Sequence, residues 1–290
     1  MAEHHLGIDV GYSKTRRSTG LCLLTIDGET ARWELLNTGT EETSRLDDLR
    51  RLVPQGTRLE GVGIDGPLTS GLRVVNHYRT SDALLSRGCF RFRGKPGQTN
   101  VPTGQQLHQH ATKLANLVLK LQSDQHFSIA RSTHPDKVDP YRLLEVFPNA
   151  FLAVLILDSR FKNLKLKRDA SDWFWEIAVD LGYLDRLLGL IAPGVTPALA
   201  WGDVRDHDHR AALVCALAAM AVARGRYVAV GDPVDGDIFL PPLKAWGPGG
   251  GGKPWAEEEL RRNVVPVRQN KGGYPNHEKA RLIKNGQVWH

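Results

Sequence analysis

The chain has little cysteine: three residues in 290, at positions 22, 89 and 215, with no Cys-x-x-Cys pair. That scarcity and spacing argue against a disulfide framework and against a thiolate zinc site, and point to a cytoplasmic protein. There is no apolar run of about 18 residues, so no membrane span is expected. The opening residues Met1-Ala2-Glu3-His4-His5 lack a signal-peptide pattern and lead directly into strand-like sequence. What remains is ordinary for a globular protein, with 41% hydrophobic and 24% charged residues. The length suits one large domain with a tail, or two small domains.

The net charge of +6 is unevenly spread. Residues 243–290 carry nine Lys/Arg against four Asp/Glu, so almost all of the excess lies there. The rest is nearly neutral but holds local basic clusters. Arg73, Arg79, Arg87, Arg91, Arg93 and Lys95 face only Asp82 in their stretch, and Arg160, Lys162, Lys165, Lys167 and Arg168 form a second cluster. Such clusters suit a polyanion, and equally suit solvated faces that keep a protein soluble.

Residues 4–10 alternate in strand fashion, 20–26 form a second apolar run and 31–37 a third. Asp27-Gly28 between the last two is a strong hairpin signal. A helix is expected over 41–52, then a strand over 59–64. The stretch 66–103 is rich in Gly, Pro, Arg and Ser and reads as an irregular insertion with a short helix near 80–86. Leu107, Ala111, Leu114, Leu117, Val118 and Leu121 mark one helical stripe. A strand over 141–147 runs into Pro148, which suits the first turn of a helix. Helices are expected over 171–181 and 206–224, the second rich in Ala and Leu with acids in its first turn. Short strands follow near 227–230 and 238–240. The Gly-rich run at 247–252 reads as a linker, which places a domain boundary near 242 ahead of a basic tail with Trp255, Tyr274 and Trp289.

Four acids occupy distinctive settings. Asp9 ends the first strand between Ile8 and Val10. Asp65 closes an apolar strand before Gly66-Pro67. Glu145 sits inside Leu143-Leu144-Glu145-Val146-Phe147, and Asp208 lies in the first turn of the Ala/Leu helix. Burying a carboxylate is costly, and clustering several adds mutual repulsion. A divalent cation offsets both penalties, and carboxylate ligands suit Mg²⁺ or Mn²⁺. Acids drawn from separate elements are what two-metal phosphodiester hydrolysis requires. Taken singly, Asp9 and Asp65 also read as turn residues, Glu145 as half of a structural ion pair, and Asp208 as a helix N-terminal charge.

The ordered set Gly7-Ile8-Asp9-Val10-Gly11, Gly63-Ile64-Asp65-Gly66-Pro67, Glu145-Val146-Phe147-Pro148 and Ala212 to Ala219 resembles the predicted RNase H-like nuclease family known as domain of unknown function 429. The later Ala229-Val230-Gly231-Asp232-Pro233 to Ile238-Phe239-Leu240-Pro241 is similar to that family's closing segment. The resemblance spans residues 6–241. It implies an α/β fold with an RNase H-like mixed sheet: a three-strand antiparallel meander plus parallel strands, flanked by helices, over residues 1–242. It implies a metal-dependent nuclease acting on DNA or RNA, with Asp9, Asp65, Glu145 and Asp208 as metal-holding catalytic acids and Mg²⁺ or Mn²⁺ as cofactor. Lys165, Lys167 and Arg168 resemble the family's basic stretch and are expected at substrate phosphate, together with Arg91 and Arg93. In one respect the chain departs from related resolvases. The acid that they place directly before the Ala-Leu run is here Ala211, so Asp208, one turn earlier, takes that role, with His207 and His209 beside it.

Two other readings fit part of the pattern. Gly7 to Gly11 followed by Ser13, Thr15, Ser18 and Thr19 also resembles the first phosphate loop of sugar kinases, actin and Hsp70-type ATPases. Those proteins need two such domains, and no second Asp-x-Gly-Gly loop occurs here. The other reading is an inactive RNase H-like scaffold that binds nucleic acid or a protein partner, using a basic tail with aromatic residues.

Overall fold

The computed structural model describes residues 2–69, 72, 78–131, 142–163, 170–247, 254–269 and 279–289. Lys165, Lys167, Arg168, Arg73 and Tyr274 lie outside them.

The chain opens with the expected meander. Strands β1 (Glu3–Asp9), β2 (Thr19–Asp27) and β3 (Thr30–Thr38) pair antiparallel in sequence order. The β2–β3 turn is the Asp-Gly site, where Gly28 takes φ 58°, a value that favours glycine. Helix α1 (Glu42–Leu52) then carries the chain to β4 (Gly61–Asp65), which lies parallel to β1 with Asp9 opposite Asp65. Helices α2 (Thr80–Leu84) and α3 (Pro102–Asp124) precede the two-residue β5 (Ala130–Arg131) and then β6 (Arg142–Val146), parallel to β4. Next come α4 (Pro148–Ala153), α5 (Ala170–Asp180), α6 (Tyr183–Ile191), the short β7 (Thr196–Pro197) and α7 (His207–Ala223). The hairpin β8 (Val228–Asp232) and β9 (Gly236–Leu240) joins the sheet through β9, parallel to β6. The run β3-β2-β1-β4-β6, antiparallel on one side of β1 and parallel on the other, is the RNase H-like mixed sheet.

The expected boundary near residue 242 does not mark an appended tail. Helix α8 (Trp255–Arg268) packs against α2, and β10 (Arg281–Lys284) pairs antiparallel with β8, followed by β11 (Gln287–Val288). Leu260, Val264, Val267 and Leu282 are buried in the core there, and the Trp255 indole donates to the Ile156 carbonyl at 2.9 Å. Burial of these apolar side chains in one cluster with those of β8 and β9 is favourable relative to water and holds the C-terminal elements to the sheet. No helix among the described residues is long and apolar enough to cross a membrane.

Both faces of the central strands are covered, which explains their nearly unbroken apolar runs. Even-numbered Leu6, Ile8, Val62 and Ile64 face the α1–α3 side, where they meet Leu49, Leu114 and Val118. Odd-numbered Gly7, Gly61 and Gly63 face α7. A side chain at Gly7 would lie 1.9 Å from the Ala212 carbonyl oxygen, and one at Gly63 would lie 2.1 Å from that of Cys215. Glycine on the strands and alanine on the helix therefore let α7 lie directly on the sheet. Gly63→Val is expected to lift the helix and cost about 3 kcal/mol, measurable as a fall in the urea midpoint. A midpoint unchanged from wild type would contradict this packing.

Candidate active site

The close approach of α7 fixes which end of the sheet receives its N-terminus. Asp208 sits over Gly20, the partner of Asp9 on β2, while Ala212 sits over Gly7 and Ala219 over Gly61. The helix thus runs antiparallel to β1 and β4, and its first turn overhangs the ends where Asp9 and Asp65 stand. Asp206 caps it, its side chain accepting from the His209 amide at 3.0 Å. The positive end of the helix dipole is therefore directed toward the two aspartates.

Asp9 and Asp65 share a hydrogen bond and perturb each other strongly. Burial pushes the Asp9 carboxyl well above the usual carboxylate range, and the charges of Asp65 and Asp208 push it further. Asp65 is raised to about 7, first by burial and then by the charge of Glu145; His207 opposes the rise. Burial, followed by the charge of Asp206, also raises Asp208. The pair retains a proton near neutrality unless another positive charge replaces it.

The pleat separates Glu145 from this group. Residues 61, 63 and 65 face α7, but Glu145 pairs in register with Ile64 and so projects toward the opposite face. There its carboxylate is clamped by the Arg79 guanidinium, Nη1 to Oε2 at 2.8 Å and Nη2 to Oε1. Arg79 is only 1% exposed. Its Nε also donates to Asp82 at 3.0 Å, and Asp82 in turn accepts from the Thr99 amide at 3.2 Å. The structure thus brings Asp9, Asp65 and Asp208 together and gives Glu145 to Arg79, although Asp65, Glu145 and Arg79 all line one cavity.

Among the described residues, no three His, Cys, Asp or Glu side chains are already gathered as a cation-binding group. The donor chemistry of Asp9 and Asp65 nevertheless fits a hard divalent cation. They are two carboxylates at the ends of adjacent parallel strands, with a third acid in the helix turn above.

His207 contributes more than its exposed position suggests. Its Nδ1 lies 3.2 Å from Asp172 Oδ1, which orients the ring, and it stands near enough to Asp65 to oppose the rise of that carboxyl. Local sequence places His207 beside Asp208 but does not reveal its partner Asp172, and it does not mark the role of Arg79, whose partner Glu145 is distant in the chain. Of the basic residues expected at substrate, Arg91 is exposed. Arg93 is not presented to solvent in the same way. Its guanidinium packs on the adjoining rings of Phe161 and Trp255, 4.5 and 4.7 Å from their centroids, where cation–π contact holds it.

The raised carboxyls carry a pH signature. A carboxyl whose pKa is higher in the folded than in the unfolded chain binds its proton more tightly when folded. Stability from this source is complete at low pH and falls as pH rises from about 4 through 7. The metal-free protein should therefore melt several degrees lower at pH 8 than at pH 5.5, and Mn²⁺ should recover most of the loss at pH 8. Asp235, raised to about 7 by burial, adds a slope of the same sign. Asp65→Asn should accordingly flatten only part of the slope while abolishing the Mn²⁺ effect. A full Mn²⁺ effect in Asp65→Asn would remove Asp65 from the cation site.

Residues 7–235 match the family described as "Protein of unknown function (DUF429)". The chain belongs to this family. No curated protein sequence matches it. Among solved structures it is similar to the yeast mitochondrial Holliday junction resolvase Ydc2, at 10% identity over 75% of this chain and 79% of the resolvase. The TM-score is 0.29, a likeness too slight to bear on fold or function. For this DUF429 protein the sheet order and the placement of the acids are the firmer guides. The described residues form one sheet, not the pair of facing domains that a kinase- or actin-type ATPase requires.

Proposed function

We propose that this DUF429 protein is a metal-dependent nuclease that hydrolyses phosphodiester bonds of DNA or RNA. The observation that carries the reading is the placement of Asp9 opposite Asp65 on adjacent parallel strands, beneath the first turn of α7 that bears Asp208. Asp9 and Asp65 would hold Mg²⁺ or Mn²⁺, with Asp208 as the third acid. When bound, the cation supplies charge stabilisation at the phosphoryl oxygens and lowers the pKa of water. His207, oriented by Asp172, is placed to move a proton at the rim of the site. Glu145 acts at the same mouth through Arg79, whose buried positive charge faces the cavity where a phosphodiester would enter. Arg91 is an exposed cation available to the strand, and Lys165, Lys167 and Arg168, outside the described residues, remain candidates for phosphate contact on the sequence resemblance alone.

Purified protein incubated with single-stranded, duplex and branched DNA and RNA, with Mg²⁺ or Mn²⁺, should cut at least one class. An Asp9→Asn protein prepared in parallel should not. Equal cleavage by the two proteins would assign the activity to a contaminant and end the proposal. The engagement of Glu145 by Arg79 favours one second reading, a scaffold that binds nucleic acid without cutting it. Binding with no cleavage under any of these conditions would establish that reading instead.

A further inference from the structure

The cavity beside Asp65 and Glu145 is shaped for more than a phosphate. Its volume is about 280 Å³, and Pro96, Val101, Leu107 and Phe147 make much of its wall. Phosphate oxygens gain nothing from such a surface. A flat heterocycle does, provided that polar groups such as the Tyr12 hydroxyl and Gln98 amide are available to its edge. The volume admits one unpaired nucleotide, not a duplex, and the acids stand at its rim.

The chain that forms the Pro96 wall continues outward into a second feature. Phe92 is 73% exposed, with the Arg91 guanidinium 5.8 Å from its ring centroid. Lys95 is also exposed, its Nζ 5.6 Å from the Tyr78 ring. The exposure of Phe92 is not that of a loose loop. Phe90 on one side is fully buried, and Arg93 on the other is held against the rings of Phe161 and Trp255. The backbone is pinned at both points and the ring between them is left in water, flanked by cations. An aromatic face beside basic side chains is the arrangement on which single-stranded bases stack. Phe92 and Pro96 are four residues apart, so at most about 14 Å separates the platform from the cavity wall.

We infer that this face takes single-stranded nucleic acid, with one base stacked on Phe92 and a neighbouring base inserted in the cavity beside Asp65 and Glu145. The inference rests on the phosphodiesterase reading of the acids and narrows it to unpaired strand. Its test needs no cleavage. Fluorescence anisotropy of labelled oligothymidine, oligouridine and a fully paired hairpin is measured with the full chain in EDTA. Phe92→Ala is expected to weaken oligothymidine or oligouridine about 5- to 100-fold, the range for loss of one stacked base, and to leave the hairpin unchanged. Thr103→Trp, an exposed position on the cavity wall, should produce a similar selective loss by filling the mouth. Melting temperatures of both variants should match wild type. Equal losses for single strand and hairpin, or unchanged single-strand affinity in both variants, would overturn the inference. If single strand binds as expected but no single-stranded, duplex or branched substrate is cut with Mg²⁺ or Mn²⁺, the nuclease reading fails and this one stands. If paired substrates are cut as well as unpaired ones, with no dependence on Phe92, the reverse holds.

Discussion

Replacing Asp9 with Asn is expected to abolish cleavage and, in the same protein, to raise the melting temperature. The two effects have one origin. Asp9 is held close to Asp65 and Asp208 in a setting that burial makes hostile to charge. Neutralising it relieves repulsion in the metal-free state, so the folded form gains stability. The same change removes a donor on which cation binding depends. Losing about 4 kcal/mol of transition-state stabilisation corresponds to a rate about 1,000-fold lower. Single-turnover cleavage and thermal melting in EDTA measure the two sides separately. A variant both inactive and less stable than wild type would show that Asp9 serves the fold, not a cation. Sites that trade stability for activity in this way are the ones where neutral substitutions stabilise.

The second large effect is expected at Arg79, in the opposite direction. Arg79→Met should destabilise the protein by about 3–5 kcal/mol, because Glu145 and Asp82 would be left buried without their common cation. Adding Glu145→Gln to that background should recover part of the loss, since the uncompensated charge is then gone. The two substitutions should therefore be strongly non-additive in urea unfolding. Arg79→Lys should fall between, because an ammonium cannot reproduce the fork that holds both Glu145 oxygens and Asp82. Additive losses for the two residues would mean that the ion pair contributes no coupling and that Arg79 is held by its surroundings alone.

These two residues mark what the sequence could and could not reveal. Asp9 is legible because it ends an alternating strand before a glycine, and Asp65 because Gly-Pro stops its strand abruptly. The Ala/Leu helix is legible from composition, and its short side chains foretell close packing. Glu145 is different. Its apolar neighbours announce a buried acid but not which face of the sheet it takes, and a register offset of one residue sends it away from Asp65. Arg79 is 66 positions from Glu145, inside an irregular stretch, so its charge reads as solvated until the fold joins them. The C-terminal elements were obscured by the Gly-rich run, by Pro266 within α8 and by a strand only four residues long. No local pattern distinguishes such a strand from a loop; its pairing with β8 does.

The return of α8 to α2 also has a consequence for how the molecule is made. The side-chain amide of Asn263 donates to the Leu84 carbonyl, 179 positions earlier, and α2 directly follows the arginine that holds Glu145. At synthesis rates of about 5–20 residues per second, the Arg79 region waits roughly 10–40 s for the helix that covers it. During that interval β8, once made, has an unpaired edge and the apolar surface of α2 is uncovered, the conditions under which nascent chains associate wrongly. The cleft is therefore completed late, when the helix and strand beyond residue 254 dock.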